Sequence, residues 1–175
     1  GALSFEPRLN VFNDTNLWAA DWASAEAERL GLRLIVPLTD NGKHFAGGKR
    51  DFCAWCGLPD LRDDDPLFYT NECVVAAFKA YVQRRLNHVN PFTGRAAKDE
   101  PSIAVWETGN ELNATAAWTG SIAAFIKTID SNHLVMDGSY GLRPSHLGLD
   151  DVDVYTDHYY PPDATRLKAS ARLCE

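Results

Sequence analysis

A glutamate that directly follows an asparagine is the residue in this sequence best placed to do chemistry. Glu111 comes after Asn110, a few residues beyond the apolar segment Ser102–Glu107. A carboxylic acid whose pKa is raised by its surroundings can protonate a poor leaving group near neutral pH and then act as a base toward water. The sequence therefore predicts that Glu111 is a general acid/base.

Polar side chains also follow the other apolar segments. Asp40 and Asn41 end one segment, Asp137–Ser139 ends another, and Asp157–Tyr160 ends the last. The carboxyl ends of the strands in a parallel barrel meet at one rim, where the active site lies. These positions therefore predict a site at the rim, in which Asp40 and Asn41 fit either the floor of a cleft or a strand-end turn.

Helices and strands alternate along the chain. Because this order is typical of a parallel α/β sheet, and because neither G-x-G-x-x-G nor a P-loop is present, a barrel is favoured over a nucleotide-binding sheet. The nearly continuous apolar run Leu32–Leu38 predicts a strand that is buried on both faces, and Thr39–Pro66 is predicted to be a long irregular connection. The predicted strands are Leu32–Leu38, Ser102–Glu107, His133–Asp137 and Asp151–His158, and the predicted helices are Asn16–Leu30, Thr70–Val89, Thr119–Asp130 and Ala164–Cys174.

The composition is that of one globular domain over residues 1–175. Hydrophobic residues make up 45% of the chain and charged residues 23%, an ordinary balance for a folded domain. The net charge is −7 with no run of Lys and Arg, which argues against a nucleic-acid partner. No apolar run approaches the ~20 residues that span a bilayer, so no membrane contact is predicted.

Four cysteines leave the disulfide pattern open. Cys53 and Cys56 form a CxxC, and Cys73 follows, so Cys53–Cys56, Cys53–Cys73 and Cys56–Cys73 are all allowed, with Cys174 unpaired. A zinc site would require a second such pair, so no metal and no cofactor are predicted. A redox or disulfide-stapled structural protein built around Cys53 and Cys56 is a further hypothesis, but it explains none of the rim residues.

The segment Trp106–Leu112, which reads WETGNEL, resembles the acid/base motif of retaining glycosidases of glycoside hydrolase family 5, in the endo-β-1,4-mannanase-like branch. Other segments agree with that branch in the expected order. They are Gly31–Asn41, Ala46–Gly48, Phe68–Thr70 with Phe78–Val82, Val135–Tyr140 and Asp157–Pro161.

The resemblance assigns roles to the rim residues. It implies that Glu111 is the acid/base and that Asn110 hydrogen-bonds the sugar 2-hydroxyl. It also implies that His158 and Tyr160 line the subsite where the bond breaks, and that Trp118 is a platform on which a sugar stacks. The expected ligand is a polysaccharide or oligosaccharide.

The resemblance covers strands three to six of an eight-stranded barrel. A complete barrel takes about 250 residues, so the expected fold is an incomplete (β/α)8 TIM barrel. The family's nucleophile follows the seventh strand and is absent from this chain. We therefore expect a fragment or truncated form of a retaining endo-glycosidase that hydrolyses β-1,4-linked mannan or glucan; the alternative is a non-catalytic carbohydrate-binding pseudoenzyme.

Two further expectations concern assembly and location. Four open parallel strands expose two unpaired edges, so either missing segments or a second copy of the chain would close the barrel. The sequons Asn13–Thr15 and Asn113–Thr115 favour an extracellular, secreted protein, although no signal peptide is visible in Gly1–Asn10.

Overall fold

The computed structural model describes residues 4–42, 48–59 and 66–173. Helices and strands alternate through most of this range, as predicted. The strands are β1 (Leu34–Pro37), β2 (Ile103–Glu107), β3 (Leu134–Asp137) and β4 (Val154–Tyr155). The helices are α1 (Trp18–Arg29), α2 (Lys49–Trp55), α3 (Leu67–Thr70), α4 (Glu72–Leu86), α5 (Ala116–Ile129) and α6 (Ala164–Leu173), with 3-10 turns at Asp14–Leu17, Ala97–Asp99 and Pro144–His146.

The four strands form one parallel sheet in the order β1-β2-β3-β4. Each strand pairs with the next strand in sequence, so the sheet grows in one direction. This is the order of consecutive strands around a (β/α) barrel. It also places the carboxyl ends of all four strands at the same edge.

Capping side chains begin the two long helices that cover the sheet. The Asn71 side chain accepts a hydrogen bond from the Val74 amide at the start of α4, at 3.2 Å. Thr115 Oγ1 accepts one from the Trp118 amide at the start of α5, at 3.3 Å. Each cap satisfies an amide that has no partner within its helix, so the start of each helix is defined by its capping residue.

The core lies between these helices and one face of the sheet. On that face Val36 pairs with Trp106 and Trp106 with Val135, and the last two are fully buried. The helix side chains that meet them share complete burial. They are Phe78, Val82 and Leu86 on α4 and Ile122 and Ile126 on α5.

The opposite face of the sheet is partly open, which corrects the prediction that the first strand is buried on both faces. Ile35 pairs with Val105 and Val105 with Leu134. Ile35 is 54% exposed and Leu134 is 45% exposed. In a complete barrel this face points inward, where other strands cover it; the described part of this chain contains four strands.

The predicted irregular connection Thr39–Pro66 contains a helix, α2, that the sequence reading missed. A disulfide joins Cys56, just after α2, to Cys73 on α4, which selects one of the three open pairings. Cys53 is a buried thiol outside this disulfide. Cys174 and Ala46–Gly47 lie outside the described residues.

A buried polar network closes the amino-terminal end of β3. Asp130 Oδ2 accepts hydrogen bonds from Trp106 Nε1 and from His133 Nδ1, each at 2.7 Å. His133 Nε2 lies 3.0 Å from the Glu100 carbonyl oxygen.

Within the described residues, no helix is both long enough and apolar enough to cross a membrane.

Candidate active site

A hydrogen bond between two side chains connects the segments that follow β1 and β2. Asn110 Nδ2 donates to Asp40 Oδ2 at 2.9 Å, and Asp40 Oδ1 accepts from the Gly42 amide at 2.7 Å. Asn41 donates its amide to the Asn110 carbonyl oxygen at 3.0 Å. Asp40 therefore shapes a strand-end turn and fixes the orientation of the Asn110 carboxamide. Its place in the floor of a cleft stays a prediction.

Glu111 has a left-handed backbone, with φ of 56°. The residues on either side are held by parallel bridges to different strands. The Asn110 amide donates to the Thr39 carbonyl oxygen at 2.8 Å, and the Leu112 amide donates to the Gly138 carbonyl oxygen at 2.8 Å. A left-handed conformation costs a non-glycine residue about 1–2 kcal/mol, so these two anchors hold Glu111 in a conformation that it would not adopt freely.

A glycine is required where the β2 and β3 ends meet. A Cβ atom added to Gly138 would lie 1.7 Å from the Gly109 carbonyl oxygen, a separation that real atoms cannot adopt. This close approach of the two backbones puts the Leu112 anchor next to β3. It explains why the sequence has glycine at position 138.

The Glu111 carboxylate meets a histidine from the end of β4. Glu111 Oε1 lies 2.8 Å from His158 Nδ1, and the two side chains are 39% and 22% exposed. Three strand ends therefore bring Asp40, Asn110, Glu111 and His158 together. A carboxyl group that is both hydrogen-bonded and open to solvent can exchange protons with a bound ligand.

The segment that carries His158 is held by the last helix. Asp157 forms an ion pair with Arg166 of α6 and accepts a hydrogen bond from Ser170 Oγ at 2.9 Å. The Arg166 guanidinium also lies 5.4 Å from the centre of the Tyr140 ring. Because Asp157 is anchored outside the site, its neighbour His158 is free to face Glu111.

Two further residues near the rim were not among the site residues predicted from sequence. Tyr140 is 45% exposed and its ring centre lies 6.2 Å from that of His158. Its position in sequence, directly after the polar residues that end β3, was the signal that could have placed it at the rim. Glu107 is buried at the end of β2; burial raises its pKa to about 7, with Asp137 and Asp40 adding to the rise and His158 opposing it. A carboxyl group that titrates near neutrality is common at functional sites.

The other predicted site residues occupy different environments. Tyr160 is 75% exposed, and its ring stands perpendicular to that of His158 at 6.5 Å between centres. The Tyr160–Pro161 peptide bond is cis. Asn41 is partly buried at the end of β1, and its Oδ1 makes no hydrogen bond with the described residues.

Trp118 is not a sugar-stacking platform. Its ring is 4% exposed and stacks on Phe78 of α4, with ring centres 5.7 Å apart. Trp118 lies in the first turn of α5, on the face of the helix that packs against α4. The prediction was wrong because Trp118 was assigned to the site from its closeness in sequence to the Trp106–Leu112 motif. The sequence does not reveal which face of α5 it occupies.

Comparison with known proteins identifies the family. Residues 2–159 match the model described as GH family 5 beta-mannosidase-like. A mannan endo-1,4-beta-mannosidase 4 of Oryza sativa subsp. japonica is 38% identical over 144 residues, which cover 75% of this chain and 31% of the rice protein.

Solved structures agree in fold. The endo-beta-1,4-mannanase of Thermotoga petrophila matches with a TM-score of 0.73 and 28% identity, over 87% of this chain and 38% of that one. The endo-1,4-beta-mannanase of Rhizomucor miehei matches with a TM-score of 0.75 and 28% identity, over 93% of this chain and 53% of that one.

These matches confirm the α/β class and the partial barrel predicted from sequence. The chain spans 31% of the rice protein and 44% of a related mannan endo-1,4-beta-mannosidase 7 of Arabidopsis thaliana. The mannanase-like resemblance of its motifs is confirmed, and the chain belongs to glycoside hydrolase family 5.

Proposed function

We propose that this chain carries the acid/base part of a site that hydrolyses β-1,4-linked mannan with retention of configuration. The observation that carries the proposal is the Glu111 carboxylate, which lies at the open ends of the strands within 2.8 Å of His158 Nδ1. Glu111 donates a proton to the glycosidic oxygen as the bond breaks. In the second step it takes a proton from the attacking water.

The neighbouring side chains have positioning and binding roles in this proposal. His158 holds the Glu111 carboxyl through Nδ1, which limits the rotation of a side chain that must reach one oxygen atom. Asn110, oriented by Asp40, presents its carboxamide to the sugar 2-hydroxyl. Tyr160 and Tyr140 offer exposed rings beside His158, where the apolar face of a sugar ring can pack.

Retention requires a second carboxylate as the nucleophile, at roughly 5–5.5 Å from the acid/base. We place this group in a part of the barrel outside the four strands of this chain. Two observations support this placement. The matched relatives are more than twice as long as their aligned segments, and the apolar side chains Ile35 and Leu134 are exposed on the sheet face that points into a complete barrel. The prediction that a second copy of the chain covers that face remains untested.

Mannan is favoured over glucan because the matched relatives are named as mannan endo-1,4-beta-mannosidases. An extracellular location is supported by the Cys56–Cys73 disulfide. Disulfides persist in oxidising compartments and are rare in the cytosol. Internal cleavage of a polymer outside the cell is consistent with both observations.

Affinity electrophoresis in gels that contain β-mannan, combined with a reducing-sugar assay, tests the proposal. We expect β-mannan to retard this chain and Asn110→Ala to reduce the retardation, while the chain alone releases no reducing sugar. Activity that disappears in Glu111→Gln would show that the nucleophile lies within this chain. Mobility that is the same with and without β-mannan would contradict the proposed substrate.

A further inference from the structure

A buried histidine–aspartate pair lies at the carboxyl end of β3. His146 Nδ1 lies 2.8 Å from Asp137 Oδ2, and the two side chains are 1% and 4% exposed. Because a carboxylate only accepts hydrogen bonds, Nδ1 is the donor. Asp137 is the last residue of β3, and His146 is the last residue of a 3-10 turn. The pair therefore closes residues 138–145, which we call the β3 loop, onto the end of the strand.

The other oxygen of Asp137 sets the first turn of the β3 loop. Asp137 Oδ1 accepts hydrogen bonds from the Ser139 amide at 3.1 Å and from Ser139 Oγ at 2.9 Å. The Gly138 amide donates to Thr108 Oγ1 at 3.0 Å, which ties this turn to the end of β2. Both Asp137 oxygens thus have partners, so the orientation of the carboxylate is fixed.

The start of the β3 loop holds the residue that follows Glu111. The Leu112 amide donates to the Gly138 carbonyl oxygen at 2.8 Å, and the Leu112 carbonyl oxygen accepts from the Tyr140 amide at 3.0 Å. The Leu112 side chain is completely buried. The backbone on the carboxyl side of Glu111 can therefore move only if the β3 loop moves with it.

The far end of the β3 loop holds the next two residues. Arg143 Nη1 donates to the Ala114 carbonyl oxygen at 3.0 Å, and Arg143 Nη2 donates to Asn113 Oδ1 at 2.7 Å. The His146 amide donates to the Arg143 carbonyl oxygen at 2.9 Å. The turn that presents the His146 ring to Asp137 therefore also aligns Arg143, and the backbone that follows the proposed acid/base is held from both ends of the loop.

We propose that His146 is a positioning residue that holds the β3 loop, and through it Glu111, in the orientation needed for contact with His158. It acts through Asp137, because its own imidazole is buried and cannot touch a substrate. Removing the imidazole leaves a buried carboxylate oxygen without its donor, which is unfavourable. Asp137 then turns or admits water, and either change moves the loop. The inference rests on the proposed role of Glu111 as the acid/base.

NMR of the ligand-free chain tests the positioning directly. Nuclear Overhauser contacts between the His158 ring and the Glu111 side chain should be present in the unchanged chain and lost in His146→Leu. Leucine fills much of the same space but has no donor. His146→Asn should restore the contacts, because its side-chain amide can donate from the position of Nδ1.

His133→Leu is the matched control. His133 is also buried and also pairs through Nδ1 with an aspartate, but at the amino-terminal end of β3. We expect both leucine variants to lose stability and only His146→Leu to lose the His158–Glu111 contacts. Loss of the contacts in both variants would show a merely structural role and would overturn the inference, as would their persistence in a folded His146→Leu variant.

Ser139→Ala keeps the inference testable if His146→Leu does not fold. This change removes one hydrogen bond to Asp137 Oδ1 and keeps the one from the Ser139 amide. We expect the His158–Glu111 contacts to weaken without being lost. Contacts as strong as those of the unchanged chain would contradict the positioning role.

Titration with β-1,4-mannotetraose separates this inference from the proposed function. We expect His146→Leu to bind about ten-fold more weakly, the equivalent of one hydrogen bond between the Glu111 carboxylate and the sugar. His133→Leu and His146→Asn should bind as the unchanged chain does. Undiminished affinity in His146→Leu would overturn the positioning role. An unchanged chain that does not bind would overturn the proposed function, and the ligand-free contacts would still decide whether His146 positions Glu111.

Discussion

Two histidine–carboxylate pairs at opposite ends of the sheet have the same chemistry and different surroundings. His133 Nδ1 lies 2.7 Å from Asp130 Oδ2, and the side chains are 7% and 0% exposed. His158 Nδ1 lies 2.8 Å from Glu111 Oε1, with 22% and 39% exposed. Their contact distances are nearly equal, so distance alone does not distinguish a structural pair from a functional one.

The number of additional partners distinguishes them. Asp130 also accepts from Trp106 Nε1 and from the amides of Asn132 and His133. Burial would raise the pKa of Asp130, but these hydrogen bonds and the charge of His133 lower it. Glu111 has one side-chain partner among the described residues and remains open to solvent. The buried Asp130–His133 pair, whose acceptor atoms are all occupied (the saturated pair), stabilises the core. The solvent-exposed Glu111–His158 pair (the exposed pair) can still form hydrogen bonds with a ligand.

The largest expected effect follows from breaking the saturated pair. Asp130→Ala leaves Trp106 Nε1 and His133 buried without their acceptor, so we expect a loss of about 3–5 kcal/mol in the free energy of unfolding. Glu111→Ala breaks the exposed pair and should cost under about 1 kcal/mol. Urea unfolding of both variants at pH 7 measures the difference; equal losses would show that the two pairs do not differ in role.

The next effect concerns pH at the strand-end site. Because the pKa of Glu107 is raised from 4.5 to about 7, its contribution to stability is present below pH 4.5 and is lost as the pH rises to about 7. The expected loss is roughly 2–4 kcal/mol. Comparing the unfolding of Glu107→Gln with that of the unchanged chain at pH 4.5 and pH 8 isolates it, since the variant lacks this group. A variant with the same pH dependence as the unchanged chain would show that Glu107 does not titrate in this range.

A smaller effect tests the left-handed backbone of Glu111. Glu111→Gly and Glu111→Ala both remove the carboxylate, but only glycine adopts φ of 56° without strain. We expect the glycine variant to be about 1 kcal/mol more stable than the alanine variant. Ala20→Gly on the exposed face of α1 is the control, because glycine there should be about 1 kcal/mol less stable than alanine. The same sign at both positions would argue against strain at Glu111.

The strand-end residues could be found from sequence because their signal is local. An apolar run followed by Asn110–Glu111 marks a strand and its polar end, and parallel pairing brings such ends together. Four predicted site residues, Asp40, Asn110, Glu111 and His158, do meet there. Their assigned roles in catalysis and binding are still predictions.

Other features depend on information that is not local. The burial of Trp118 depends on which face of α5 meets α4, and the choice of Cys73 as the partner of Cys56 depends on how α2 packs on α4. The exposure of Ile35 depends on which strands lie next to β1. Each of these is set by tertiary packing between segments that are distant in sequence.

The most direct test follows the five histidine ring signals of the chain by NMR during a titration with β-1,4-mannotetraose. We predict that the His158 signals shift in a saturable way while the His133 signals stay fixed, and that Glu111→Gln changes the His158 response. Unchanged His158 signals at saturating mannotetraose, or a response centred on His133, would contradict the assignment of the Glu111–His158 pair to the substrate.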